Sequence, residues 1–158
     1  MATNTTEGGT LQHVKDHTAY LLANSPIYAH LLSAIEITLA TSARVVARLQ
    51  LAPPHLNSKH ILHGAVTATL VDFMGGLAVA AHDGRERTGV SADMHISFVG
   101  AARLGDVLEV EGVPVRVGGS LAFTTVTLRR VEDGQAADGA GGDVVAVGSH
   151  TKFVRQKR

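Results

Sequence analysis

The 158-residue chain contains no cysteine and no tryptophan. Without thiols it has no disulfide, no thiolate metal ligand and no cysteine nucleophile. Charge of one sign is missing too, since Lys and Arg number 14 and Asp and Glu number 14. With no basic excess there is no field to hold nucleic acid by its phosphates, and that class of partner is set aside. The start of the chain has neither the basic and apolar layout of a signal peptide nor the Arg-rich layout of a transit peptide. A cytoplasmic address is the expectation, with a mitochondrial one left open. An unbroken apolar run of membrane length is also lacking: the one long run, 65–81, is interrupted by Asp72 and by Gly75-Gly76, and a span needs about 20 residues. A buried helix is expected there, and no membrane span.

What is present is a hydrophobic content of 45% in a chain of single-domain size, enough to bury a core. Residues 1–9 read as a disordered lead. Over 10–33 the apolar residues Leu11, Val14, Tyr20, Leu21, Leu22, Ile27, Leu31 and Leu32 recur at roughly helical spacing around Pro26, which predicts two short helices meeting near Ser25-Pro26. The main domain is expected over 34–154 and a basic tail over 155–158. Within the domain, 35–40 and 43–51 read as a hairpin about Thr41-Ser42, and 53–58 as a loop broken by Pro53-Pro54. The central helix opens at Gly64 and ends at His82-Asp83-Gly84. Four Val- and Thr-rich segments follow, 89–99, 106–117, 120–131 and 144–154, with a tight turn at Gly118-Gly119 and a long loop over 132–143. A helix apolar on every face followed by antiparallel strands asks for a sheet curved around that helix, an α+β architecture. Its open edges make a homo-oligomer the expectation.

Asp72 is the residue in need of a reason. A lone carboxylate on an apolar helix is expensive to bury, and its surroundings are expected to raise its pKa and make it a better base. Gly64 lies eight residues earlier, about 12 Å along the axis. The two cannot touch one reacting atom within a subunit. Two copies paired with antiparallel helices would bring the helix start of one opposite the middle of the other, so each site would be shared. There the Gly64 N–H is suited to an oxygen that turns negative during acyl transfer. Asn57 could add an amide donor, while Asp72 takes a proton from water or attacks directly.

Other residues attract milder readings. His55, His60 and His63 cluster without a carboxylate or thiol and match no usual ligand spacing, so no metal is expected. His63, just before the helix start, is read as structural or supportive. No Gly-x-Ser-x-Gly turn marks a serine hydrolase, and the glycine-rich 134–142 lacks the Lys-Ser/Thr ending of a phosphate loop. Phe73, Met74 and Leu77 beside Asp72 would suit an aliphatic or aromatic acyl chain.

His63-Gly64-Ala65 opening an apolar helix, Asp72, Gly89-Val90-Ser91-Ala92-Asp93-Met94, and Ala102-Arg103-Leu104-Gly105-Asp106 together resemble hotdog-fold acyl-CoA thioesterases. The branch is that of the mammalian thioesterase superfamily members and the bacterial phenylacetate-pathway thioesterase. The resemblance runs over roughly 35–153. It implies that Asn57 and the Gly64 N–H polarise a thioester carbonyl while the partner's Asp72, helped by Ser91, activates water. It further implies substrate contacts at His63 and Asp93, and CoA binding along Arg116, Gly118, Gly119, Ser120 and Leu121 with Lys152 near a phosphate. A dimer of dimers and no cofactor beyond the CoA of the substrate complete the expectation. Ala65 stands where the family commonly has a second glycine, and the turn at Gly118-Gly119 lacks a lysine often found there. A non-catalytic acyl-CoA-binding module and an enoyl-thioester hydratase are the alternatives. Hydratases of this fold pair the Asp with a His a few residues on, and here none follows before His82.

Overall fold

The computed structural model describes residues 4–132, 134 and 141–154. Its organising element is the apolar segment that begins at Gly64, because a helix with almost no polar face can persist only if something covers every side of it. In chain order the elements are α1 (Asn4–Asn24), α2 (Pro26–Leu32), β1 (Glu36–Ala40), β2 (Val45–Gln50), a 3-10 turn (Pro53–His55), α3 (Gly64–Asp83), β3 (Val90–Phe98), β4 (Val107–Val117), β5 (Leu121–Val131) and β6 (Asp143–Phe153). The strands form one antiparallel sheet in the order β1-β2-β4-β5-β6-β3. It wraps α3, which packs against β2, β3, β4, β5 and β6, while α1 covers part of the remaining side. The expected α+β arrangement is what is observed.

α3 starts where the His63 ring accepts the Ala65 N–H at 3.0 Å, satisfying one of the donors that a helix start leaves open. It ends at Gly84, whose left-handed φ of 72° lets its N–H reach the Ala80 carbonyl. By length and composition α3 could cross a membrane, yet most of its residues are buried inside the fold. Close packing requires glycine on the sheet. A Cβ on Gly112 of β4 would stand 2.8 Å from the Met74 carbonyl oxygen, and one on Gly148 of β6 would meet the Val71 methyls at 2.8 Å. Leu70, Val71, Phe73, Met74 and Leu77 then fill the core with Leu49, Leu108, Val126 and Leu128.

The opposite face of the sheet carries alternating charge. Register aligns Glu36, Arg48, Glu109 and Arg129 across β1, β2, β4 and β5. Arg48 donates through Nε and Nη2 to Glu109 Oε2 at 3.1 and 2.9 Å, which compensates a carboxylate that is only 1% exposed.

Three expectations change. α1 is a 21-residue helix beginning at Asn4, so it takes in much of the segment expected as a disordered lead; once a helix is nucleated, each added residue brings a hydrogen bond. The 53–58 loop contains a 3-10 turn, held where the Ala52 N–H donates to His55 Nδ1 at 2.9 Å. Strand limits move inward or outward by one or two residues. Residues 1–3, the middle of the expected 132–143 loop and the expected tail 155–158 lie outside the described residues.

Gly112→Ala is expected to destabilise the fold by about 1–3 kcal/mol, since a backbone oxygen cannot rotate away. Gly119→Ala, with no atom within 4 Å of its would-be Cβ, should stay within about 0.5 kcal/mol. Urea unfolding of both variants measures the difference.

Candidate active site

Asp72 sits half-buried at the middle of α3, between the buried Val71 and Phe73. Three elements converge on it. Oδ2 accepts a hydrogen bond from the Tyr28 hydroxyl of α2 at 2.6 Å. Oδ1 accepts from Ser91 Oγ of β3 at 3.1 Å and from Lys152 Nζ of β6 at 3.2 Å. His150 Nε2 lies 2.8 Å from Ser91 Oγ and 3.7 Å from Asp72 Oδ1.

Strand geometry explains these positions. Side chains alternate along β6, so Gly148, His150 and Lys152 share the face toward α3. On β3 the register shifts between Ser91 and Asp93, leaving Ser91 opposite Lys152 and Met94 opposite His150. Without the one-residue bulge at Ala92, Ser91 would point to the other side of the sheet. Gly75, one turn after Asp72, makes room for the imidazole: a Cβ there would stand 2.7 Å from His150 Nδ1 and 2.9 Å from Thr124 Oγ1. Thr124 in turn donates to the His150 carbonyl at 3.2 Å.

Burial alone would push the Asp72 carboxyl up. The Tyr28 hydrogen bond, the charge and hydrogen bond of Lys152 and the Ser91 hydroxyl outweigh it, and its pKa is lowered. This reverses the expectation of a raised value, because the helix is apolar in sequence but the groups that reach Asp72 from other elements are donors. Asp72 is therefore ionised at neutral pH. Burial and the neighbouring carboxylate push the Tyr28 phenol up, keeping it protonated. His150 is lowered by burial and by Lys152, against the opposing pull of Asp72, the Val71 backbone and Asp93, so the imidazole is neutral at neutral pH. Ser91 has one proton to give, to Asp72 or to His150, and the imidazole tautomer decides which.

Asn57, His63 and Gly64 form a second group at the start of α3. Asn57 Oδ1 accepts the Lys59 and Ile61 N–H groups at 2.9 and 3.4 Å, which leaves its Nδ2 as the end free to donate. The Gly64 N–H meets no acceptor among the described residues. The Phe98 ring lies 3.5 Å from where a Gly64 side chain would begin. His55 Nδ1 is used by Ala52, so its Nε2 donates to the Leu31 carbonyl at 2.8 Å. The second group is about 12 Å from Asp72 along the same helix, too far for one reacting atom.

Arg116, Gly118, Gly119, Ser120 and Leu121 make a third group at the exposed tip of the β4–β5 hairpin, where the Gly118 N–H donates to the Leu121 carbonyl at 2.8 Å. Lys152 is not with them. It is 4% exposed and paired to Asp72, a correction to its expected place near a phosphate, imposed by the alternation of β6. Phe73, Met74 and Leu77, expected to suit an acyl chain, are buried in the core of the fold. Asp93 is exposed on β3.

Tyr28 and His150 were absent from the sequence-based site. His150 had a signal, since it shares the strand face of Lys152 two residues on. Tyr28 had none, because only the packing of α2 brings it to Asp72.

Residues 59–137 match the family model of the thioesterase superfamily. The acyl-coenzyme A thioesterase 13 of Homo sapiens is 32% identical over 127 residues, covering 80% of this chain and 84% of that protein. The crystal structure of zebrafish thioesterase superfamily member 2 superposes with a TM-score of 0.77 at 34% identity, covering 90% of this chain and 96% of the other. A thioesterase protein of Streptococcus pneumoniae TIGR4, solved with coenzyme A, superposes at 0.68 with 25% identity, covering 82% and 92%.

The lowered Asp72 pKa has a signed consequence for stability. Unfolded, this carboxyl takes up its proton near pH 4, at about 3.9; folded, it holds the charge to lower pH, so between the two values the unfolded state binds more protons. The contribution is complete above the unfolded value and is lost as pH falls through the folded one. The stability advantage of the wild type over Asp72→Asn should be flat above about pH 5 and shrink below it, as read by denaturant unfolding across acid pH.

Proposed function

Because the chain belongs to the thioesterase superfamily and is a thioester hydrolase of the hotdog fold, we propose that it hydrolyses acyl-CoA to a free acid and CoA at a site shared by two subunits. The observation that carries this reading is the division of labour along α3: an ionised carboxylate at its middle and, at its start, an N–H that meets no acceptor among the described residues. Neither end is sufficient alone.

The edge strand β3 supports the pairing. All its residues but Ile96 are exposed, with Val90 and Phe98 at 64% and 60%, and a long exposed edge of this kind needs a cover. Two β3 edges joined about a two-fold axis would extend the sheet and set the helices antiparallel. A second contact between such pairs would give the dimer of dimers.

In the shared site, Asn57 Nδ2 and the Gly64 N–H of one subunit receive the thioester oxygen. Asp72 of the other takes a proton from water as the water oxygen bonds to the carbonyl carbon, and the carbonyl electrons pass to the held oxygen. When that intermediate collapses the C–S bond breaks, and the CoA sulfur leaves with the pair and receives the proton from Asp72. Ser91 orients Asp72 and the water. Arg116 and the Gly118, Gly119, Ser120 and Leu121 backbone provide an exposed ledge for CoA, and Asp93 and His63 are assigned further substrate contacts. This chemistry requires water and side chains, and no cofactor is assigned to it.

CoA release from acetyl-, octanoyl-, palmitoyl- and phenylacetyl-CoA tests the activity; saturable binding without release would instead indicate a binding module. Asp72→Asn and Asn57→Ala should each lose about 10²-fold or more in kcat. Mixed after subunit exchange, they should recover about a quarter of wild-type activity, because half the dimers are mixed and each mixed dimer has one intact site of two. No recovery would refute a shared site.

A further inference from the structure

The hydrogen bonds around Asp72 are not equivalent. With His150 Nε2 protonated and donating to Ser91 Oγ, the Ser91 proton goes to Asp72 and Oδ1 accepts two hydrogen bonds, from Ser91 and Lys152. Oδ2 accepts one among the described residues, from Tyr28. A carboxylate has about four acceptor positions, two on each oxygen, so the open one is on Oδ2. That oxygen is the one placed to take a proton from water, and Tyr28 is the group that shares it.

Resting on the thioesterase reading above, we propose that Tyr28 is a positioning residue for the reaction, aiming the Oδ2 lone pair of Asp72 at the hydrolytic water. Tyr28 is itself firmly held. Its ring stands edge-on to Phe73, with centroids 5.0 Å apart at 74°. α2 begins at Pro26, whose fixed φ suits a helix start, and near its end Leu32 is fully buried. The Leu31 carbonyl is tied by His55, two residues before Asn57. Through α2 the N-terminal helices thus touch both functional groups of the chain: Asp72 directly, and the Asn57 loop through His55. The N-terminal extension belongs to the catalytic apparatus.

The groups facing Asp72 from the packed elements are Tyr28 on α2, Ser91 on β3, and His150 and Lys152 on β6. Tyr28→Phe removes one of these donors and leaves the ring packing in place. Without it the carboxylate is less favoured, so Asp72 must take its proton at higher pH. A base stronger by one pH unit gains a few-fold in rate at most, whereas a misaligned one loses about 10²-fold. Loss of aim dominates.

The test compares wild type with Tyr28→Phe in two ways: the pH dependence of kcat and kcat/KM on the acyl-CoA that wild type hydrolyses fastest, and the titration of the Asp72 carboxyl carbon by ¹³C NMR. Expected are an acid limb and a carboxyl titration both moved up by about one pH unit, kcat lowered about tenfold, and KM within about twofold. A role in packing alone would alter thermal stability and move neither pH curve. Identical titrations and kcat in the two proteins would overturn the proposal. A carboxyl titration that moves in a protein releasing CoA from no acyl-CoA would overturn the thioesterase reading, and the positioning role with it, while leaving the Tyr28 contact intact.

Discussion

An ionised carboxylate half-buried on an apolar helix persists only if donors are brought to it, and those that reach Asp72 arrive from three directions at once. Tyr28 comes from the N-terminal helices, Ser91 from the edge strand, and Lys152 from the strand beside it. Each has to be delivered within hydrogen-bond range of one side chain, which constrains α2, β3 and β6 relative to α3. Without them, burial would raise the pKa of Asp72 and disfavour its charge. The polar cluster therefore ties the layers together as much as it prepares chemistry.

Close approach of sheet and helix is the second condition, and it is met by leaving side chains out. Gly112 and Gly148 admit the α3 backbone and Val71, and Gly75 admits the His150 ring. A helix held further away would leave Ser91 and Lys152 short of Asp72. The bulge on β3 completes the arrangement by turning Ser91 inward. Packing of the core and assembly of the site are thus one geometric problem, and the same glycines serve both.

Two further features of the chain bear on the proposed assembly. The helix that carries the carboxylate at its middle carries at its start an N–H that meets no acceptor among the described residues, and the edge strand β3 has all its residues exposed but Ile96. In the proposed assembly these features are answered together: the edge is covered, and each helix start meets another subunit's carboxylate.

Much of this was legible in the order of residues. An apolar run bounded by Gly64 and Gly84 specifies a buried helix, alternation of Val and Thr specifies strands, and a carboxylate alone in the run marks itself, because these signals rest on local periodicity and on the cost of burying charge. The separation of Gly64 from Asp72 followed from helix rise alone. What surrounds Asp72 did not. Whether its pKa rises or falls depends on donors 19, 44 and 80 residues away in the chain, and no local pattern announces such contacts. Lys152 was expected near a phosphate until strand alternation turned it inward beside His150, and Tyr28 lay within the expected helical extension until α2 packed it onto the carboxylate. The sequence by itself determined the elements and their apolar faces, and marked the carboxylate on which the proposed chemistry centres. Only the tertiary structure decided the electrostatic state of that residue, since an ionisation equilibrium answers to neighbours in space.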